Sequence, residues 1–250
     1  MNRIAILIPT YNEATSIVEL IHKLADFRNV NNVDFEVIVI DDNSPDGTAA
    51  IVDKLNIDWV SILRRPNKAG LGAAYRSGFK KVLSNSIFSH VITMDADGSH
   101  RVEDLGNMIA AIEPGKLIVL GTRWIPGGSV VNWPKRRQYL SRAGTAYAKL
   151  ALRIPLNDLT GGFRIYSVEL LRSLKLDDMQ ATGYCYQIEM ALAANLAGAK
   201  AIEVPITFVE RTNGVSKMSR AIVIEALVQT SLWGLSRIFR PNADKLHYVK

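Results

Sequence analysis

The sequence has a single cysteine, Cys185, in 250 residues. That excludes an internal disulfide and a cysteine-rich zinc site, and it fits a reducing compartment. No run reaches the roughly 18 apolar residues that cross a bilayer as a helix. The best candidates are IEMALAANLAG and AIVIEALVQTSLWGLSRIF, and the second carries Glu225 and Gln229 in its middle. The glycine-rich phosphate loops are missing too. Where a dinucleotide site would place G-x-G-x-x-G after the first strand, the chain reads PTYNE, and there is no G-x-x-x-x-G-K-[ST]. The opening MNRIAILIPTYNE enters a strand at once and meets a proline, which makes a poor signal peptide. His22, His90, His100 and His247 share no motif, and no repeat or low-complexity tract is visible.

What remains is an ordinary globular composition, 48% hydrophobic and 22% charged, with net charge +6 and a pI near 9.4. Mild basicity admits nucleic acid, an anionic membrane surface or phosphorylated substrates as partners. Nucleic acid fits poorly, because the basic residues sit beside apolar helices and are not interleaved with exposed aromatics.

The first half alternates apolar runs of strand length (RIAILIPTY, FEVIVIDD, VSILRRP, HVITMDAD, KLIVLGT) with helical segments. That pattern implies βαβ units and a largely parallel sheet buried on both faces. Ligands of such sheets sit beyond the carboxyl ends of the strands. There the chain places residues 9–13, 41–46, 95–99 and 121–124. The second half holds a basic segment, WPKRRQYLSRAGTAYAKLALRIPL, without an acid. It continues with a small-residue turn, DLTGGFRIYS, and a helix, GYCYQIEMALAANLAG. A strand with Pro205 inside, expected at a sheet edge, and a last apolar helix with basic ends complete it.

The stretch VITMDADGSH poses the chemical question. Period-2 alternation along a strand would put Asp95 and Asp97 on one face, where like charges disfavour each other unless a cation joins them. A site without a glycine cradle must neutralise a diphosphate in another way. Mg²⁺ or Mn²⁺ held by carboxylates does so. Asp97 is placed to ligate the metal, and Asp95 to reach the metal shell or a ribose hydroxyl.

Taken together, PTYNE, DDNSPDGT, DADGSH, GTRW and ERTNGVSKMS resemble family 2 glycosyltransferases of GT-A fold, and more narrowly the polyprenol-phosphate (dolichol-phosphate) mannosyltransferases. The resemblance covers residues 4–219. It implies a GT-A domain over residues 1–218 and an amphipathic, membrane-interface extension over 219–250. It implies inverting transfer of mannose from GDP-mannose to a polyprenyl phosphate, at the cytosolic face of a membrane, by a peripheral protein. The alternatives are a glucosyltransferase using UDP-glucose and a nucleotide-binding module without activity.

Carried over by residue, the resemblance places Pro9, Tyr11 and Glu13 in the nucleotide pocket and Ile40 and Asp42 at base and ribose. Asp95, Ala96 and Asp97 hold the ribose, diphosphate and metal. Arg123 lies near the sugar and phosphates, and Arg211 and Lys217 close over the diphosphate from a loop. Arg137 and Ser141, four apart on one helical face, receive the acceptor phosphate. Ser99 stands where some relatives place Gln, a shorter second ligand for the metal. The catalytic set is then Asp97, Arg123, Arg211 and Lys217. Glu189 is open between a base and a structural hydrogen bond. Trp133 and Trp233 are candidate membrane anchors.

Overall fold

The computed structural model describes residues 3–179, 181, 183, 185–210, 220–239 and 247–250. Arg211 and Lys217 lie outside the described residues.

The expected βαβ rhythm is present. The strands β1 (Arg3–Thr10), β2 (Phe35–Asp41), β3 (Val60–Arg64), β4 (Phe88–Thr93) and β5 (Leu117–Thr122) alternate with the helices α1 (Ile17–Asn31), α2 (Thr48–Lys54), α3 (Leu71–Leu83) and α4 (Leu105–Ala110). A short β6 (Ser129–Val131) leads to α5 (Lys135–Leu152), β7 (Arg164–Ser167), α6 (Val168–Ser173), α7 (Cys185–Leu196), β8 (Lys200–Pro205), β9 (Thr207–Val209) and α8 (Arg220–Phe239). The main sheet has seven strands in the order β3-β2-β1-β4-β7-β5-β8. All neighbours are parallel except β7, which runs antiparallel to both β4 and β5. Pro205 does end an edge strand. The segment FRIYS, read from sequence as part of a turn, supplies a strand at the centre of the sheet.

Alternate side chains divide between two cores. Leu7 of β1, Ile40 of β2 and Ile118 of β5 face α3, α6 and α7. Ile6, Val39 and Val119 face α1 and α4. Each fully buried aliphatic chain contributes about 1.5–3 kcal/mol, which is why these strands are apolar on both faces. α3 lies close to the sheet because of a glycine. A Cβ on Gly78 would stand 2.5 Å from Ile40 Cδ1 and 2.8 Å from Leu7 Cδ1.

The chain's end returns to the first core. Tyr248 is buried, its carbonyl accepts from the Lys175 amide at 2.8 Å, and Val249 bridges Leu174. α8 packs along α5, with Gly234 against Ala151 and the Tyr147 hydroxyl 2.6 Å from that of Ser231. Among the described residues no helix is long and apolar enough to cross a membrane.

Candidate active site

The carboxyl ends of β1, β2 and β4 open into a cleft of about 390 Å³. Two of the sequence motifs interlock on its first side. The Asn12 amide donates to Ser44 Oγ at 3.1 Å and the Ala14 amide to Asp46 Oδ2 at 3.0 Å. The Glu13 amide donates to Thr48 Oγ1 at 3.1 Å. Asn12 and Asn43 take positive φ, 60° and 55°, a conformation asparagine tolerates better than most residues. The loops after β1 and β2 are therefore one unit, and they present Pro9, Tyr11, Glu13 and Asp42 to the cleft. Asp41 organises the turn: Ser44 Oγ donates to it at 2.6 Å and Thr10 Oγ1 at 3.0 Å. Burial pushes the Asp42 carboxyl above its ordinary value, although Arg65 pairs with it at 2.6 Å and opposes the shift.

Asp95, Ala96, Asp97 and Ser99 line the middle. β4 stops at Thr93, so strand alternation is not what sets the two aspartates. A turn does, with Gly98 at φ +76°. The Asp95 amide donates to His100 Nδ1 at 2.9 Å and the Ser99 amide to Asp97 Oδ1 at 3.1 Å. The His100 ring is stacked on Phe163, 5.0 Å between centroids. Ser99 in turn accepts from the Val209 amide at 3.2 Å. His100, given no role from sequence, shapes the turn that carries the carboxylates. Among the described residues no three His, Cys, Asp or Glu side chains gather as a metal cage. Two carboxylates and a hydroxyl around a cleft fit a hard divalent cation that shares its shell with a substrate's phosphates.

The far side is built around arginines. Arg137 of α5 lines the cleft, stacks 4.0 Å above the Trp133 ring and pairs with Glu210. Ser141 is buried and lies 3.3 Å from Thr160 Oγ1. Thr160 lines the cleft, so Ser141 stands behind it.

Four expected residues differ. Arg123 is buried rather than open to the cleft, and its guanidinium grips Asp158 with Nε at 2.6 Å from Oδ2 and Nη2 at 2.8 Å from Oδ1. Nη2 also donates to Thr160 at 2.8 Å. Burial alone would raise the Asp158 carboxyl; the Arg123 charge and the hydrogen bonds from Arg123 and the Thr160 amide outweigh it and hold it below its ordinary value. Arg123 therefore fixes the turn that carries Thr160. Ile40 directs its side chain into the core, one residue short of the strand end, because alternation along β2 sends it under α3. Trp133 is buried between Trp124 and Phe208, and Trp233 packs against the first core, so neither is an exposed anchor. Glu189 accepts from the Ala181 amide and the Tyr248 hydroxyl, both at 3.1 Å, which makes it structural.

Sequence reasoning did not single out Lys68, Thr160, Gly162 and Gln187, which also line the cleft. Lys68 Nζ lies 3.9 Å over the Tyr11 ring. The glycine pair in DLTGGF, and the first amide in an otherwise apolar helix, were the available signals.

A family model described as glycosyl transferase family 2 matches residues 5–175. The chain is 40% identical over 239 residues to the polyprenol monophosphomannose synthase of Mycolicibacterium smegmatis, covering 93% of this chain and 87% of that protein. It is 40% identical to the undecaprenyl-phosphate mannosyltransferase of Micrococcus luteus, covering 94% and 95%. In fold it is similar to mannosyl-3-phosphoglycerate synthase from Rubrobacter xylanophilus, with TM-score 0.67 at 18% identity over 96% of this chain and 75% of that one. It is also similar to glucosyl-3-phosphoglycerate synthase from Mycobacterium tuberculosis, solved with Mn²⁺, UDP and phosphoglyceric acid, with TM-score 0.63 at 18% identity over 94% and 78%. A mostly parallel sheet, a carboxylate turn after β4 and this kinship lead to one conclusion: the chain is a glycosyltransferase of family 2 with a GT-A-like fold, and belongs with the polyprenol-phosphate mannosyltransferases.

Proposed function

We propose that the protein transfers mannose from GDP-mannose to a polyprenyl phosphate with inversion at the anomeric carbon. The observation that carries this reading is the placement of Asp95 and Asp97 in one cleft with Arg137. A carboxylate pair suits a cation that meets a leaving diphosphate, and an arginine fork suits an attacking phosphate. Pro9, Tyr11, Glu13 and Asp42 hold the nucleoside, and Asp95 and Ala96 its ribose and diphosphate. Asp97, with Ser99 beside it, holds Mg²⁺ or Mn²⁺. When bound, the cation neutralises charge on the leaving diphosphate. Arg211 and Lys217 add cationic stabilisation to the same group.

Arg137 orients the acceptor, and Ser141 acts through Thr160 from behind it. Arg123 serves through Asp158 as a positioning residue. The acceptor is a phosphate monoester, with a second pKa near 6, so it arrives anionic and needs orientation more than a general base. Its oxygen attacks the anomeric carbon, the sugar–diphosphate bond breaks, and the nucleoside diphosphate leaves with the electron pair.

A lipid acceptor requires contact with a bilayer. α5 exposes Tyr139, Leu140 and Leu150 among its basic residues, and the neighbouring α8 exposes Leu232, Leu235 and Phe239. Apolar and basic surface on adjacent helices is what an interfacial helix presents to anionic lipid. Within the segment 219–250, α8 would then be the membrane-facing part, on the cytosolic side, while Tyr248 and Val249 return to the core. The test is to offer the purified protein GDP-mannose or UDP-glucose, each with a short-chain polyprenyl phosphate, with and without chelator. Mannosyl transfer that chelator abolishes is expected. Glucosyl transfer alone, or full activity in chelator, overturns the corresponding part.

A further inference from the structure

The cleft contains one buried polar group that neither phosphate nor metal chemistry explains. Gln187, in the first turn of α7, is 2% exposed and lines the cleft. Its side-chain oxygen is buried and has no hydrogen-bond partner among the described residues. Its main chain is fixed: the Gln187 carbonyl accepts from Arg164 Nη1 at 2.6 Å, and Arg164 Nη2 donates to the Leu159 carbonyl at 3.0 Å. Arg164 is itself buried, so it ties α7 to the turn before β7. A Cβ on Gly162 would stand 3.2 Å from Gln187 Nε2 and 3.6 Å from a carbon of the His100 ring. The Gly162 carbonyl accepts from Thr93 Oγ1 at 2.7 Å. The glycine thus keeps the space in front of the amide open, between the carboxylate turn and the arginine side.

Buried polar atoms in folded proteins almost always have a partner, and an exception that faces a cleft points to water or a bound group. The partner's chemistry follows from the amide. The cleft already has arginine for a phosphate and aspartates for a divalent cation, and a carboxamide is neutral and both accepts and donates. It matches a hydroxyl, which also accepts and donates. Resting on the proposed reaction, the transferred sugar must lie between the leaving diphosphate and the attacking phosphate. Gln187 occupies that interval, because sheet order puts β4, with Asp95 and Asp97 after it, beside β7, with Gly162 before it. We infer that Gln187 is the residue that reads a hydroxyl of the transferred hexose, and so takes part in choosing between epimeric sugars.

The discriminating variant is Gln187→Met, which keeps the length and removes the amide. A site built to hydrogen-bond a hydroxyl is strongly selective, and losing that bond removes the selectivity. Wild-type protein is first titrated with GDP-mannose and UDP-glucose, which tests the donor part of the proposed function alone. The donor that binds is then used for the variant. Affinity for the bare nucleoside diphosphate should stay within about twofold. Transfer efficiency with the preferred donor should fall about ten- to a hundredfold, and preference over the epimeric sugar on the same nucleotide should fall at least about fivefold. The melting temperature should hold or rise, since a buried unpaired amide has been replaced by an apolar chain. Equal loss for nucleoside diphosphate and nucleotide sugar, or an unchanged epimer preference, overturns the inference and leaves Gln187 as a partner of water only. Gln187→Asn, which withdraws the amide by one carbon, gives the same readouts if the Met variant does not fold. Failure of the wild type to bind either nucleotide sugar overturns the function and this inference together.

Discussion

The two sides of the cleft solve opposite electrostatic problems by different means. On the β1–β4 side, the chain gathers acids. Asp41 and Asp46 are satisfied locally by serine, threonine and backbone donors, and Asp95 and Asp97 face the cleft. On the α5 side it gathers arginines, and each of the two that matter has an acidic partner. Those pairs are not alike. Arg123–Asp158 is bidentate and almost wholly buried, its side chains 5% and 0% exposed. Arg137–Glu210 is part-exposed, at 16% and 23%. One pair is architecture, and the other can exchange partners.

The sharpest way to break the comparison is at the acid side. Asp97→Asn should cost about a thousandfold or more in turnover, roughly 4 kcal/mol. Stability should be unaffected, because the residue lies in a turn beyond β4. Near-normal turnover would remove the aspartate from the reaction.

Next comes the buried pair. Asp158→Ala should cost about 3–5 kcal/mol of stability, because it leaves the Arg123 charge buried and unpaired. Denaturant unfolding measures this. The same pair gives a pH signature. The folded carboxyl titrates below its unfolded value near 3.8. Its ionised form therefore stabilises the fold fully above that value, and the contribution is lost as pH falls through the lower folded value. Asp158→Asn should lack this acid-side component.

Arg137→Ala tests the exchangeable pair. It should weaken use of polyprenyl phosphate by about ten- to a hundredfold, or about 1.5–3 kcal/mol, with little change in donor affinity or melting temperature. Lysine should rescue only part, lacking the planar fork. If donor binding collapses while the acceptor constant holds, the two sides have been assigned the wrong way round.

The smallest effect is expected from Glu210→Gln. A part-exposed ion pair is worth about 0.2–1 kcal/mol, so releasing Arg137 from it should lower the acceptor KM by up to about fivefold. A raised acceptor KM would mean that Glu210 holds Arg137 in its working position.

The acid side was legible from sequence because its residues are contiguous. PTYNE, DDNSPDGT and DADGSH each follow an apolar strand, and most of their expected site residues line the cleft. Ile40 is the exception, one step inside β2, where alternation sends it to the core. The arginine side was less legible because its contacts join residues far apart in the chain. Nothing local to GTRW announces that Arg123 is committed to Asp158, 35 residues on. FRIYS is too short and too close to two glycines to read as a strand. It becomes one only because β4 and β5 offer it edges on both sides.

That last feature bears on how the molecule is made. β4 and β5 both precede β7 in the chain, yet neither pairs with the other; each pairs with β7. From the completion of β5 at Thr122 until Arg164–Ser167 emerges, a chain growing from its N-terminus carries β4 with one open edge and β5 with two, the kind that invites association with other chains. The antiparallel insertion closes β4 and one edge of β5 at once, and β8 later covers the other. The α5 side of the cleft and its junction with the carboxylate turn cannot exist before that step. The cleft is therefore completed late, and slow or interrupted synthesis between residues 122 and 164, when β4 and β5 are both unpaired on the side that β7 fills, exposes the protein to aggregation.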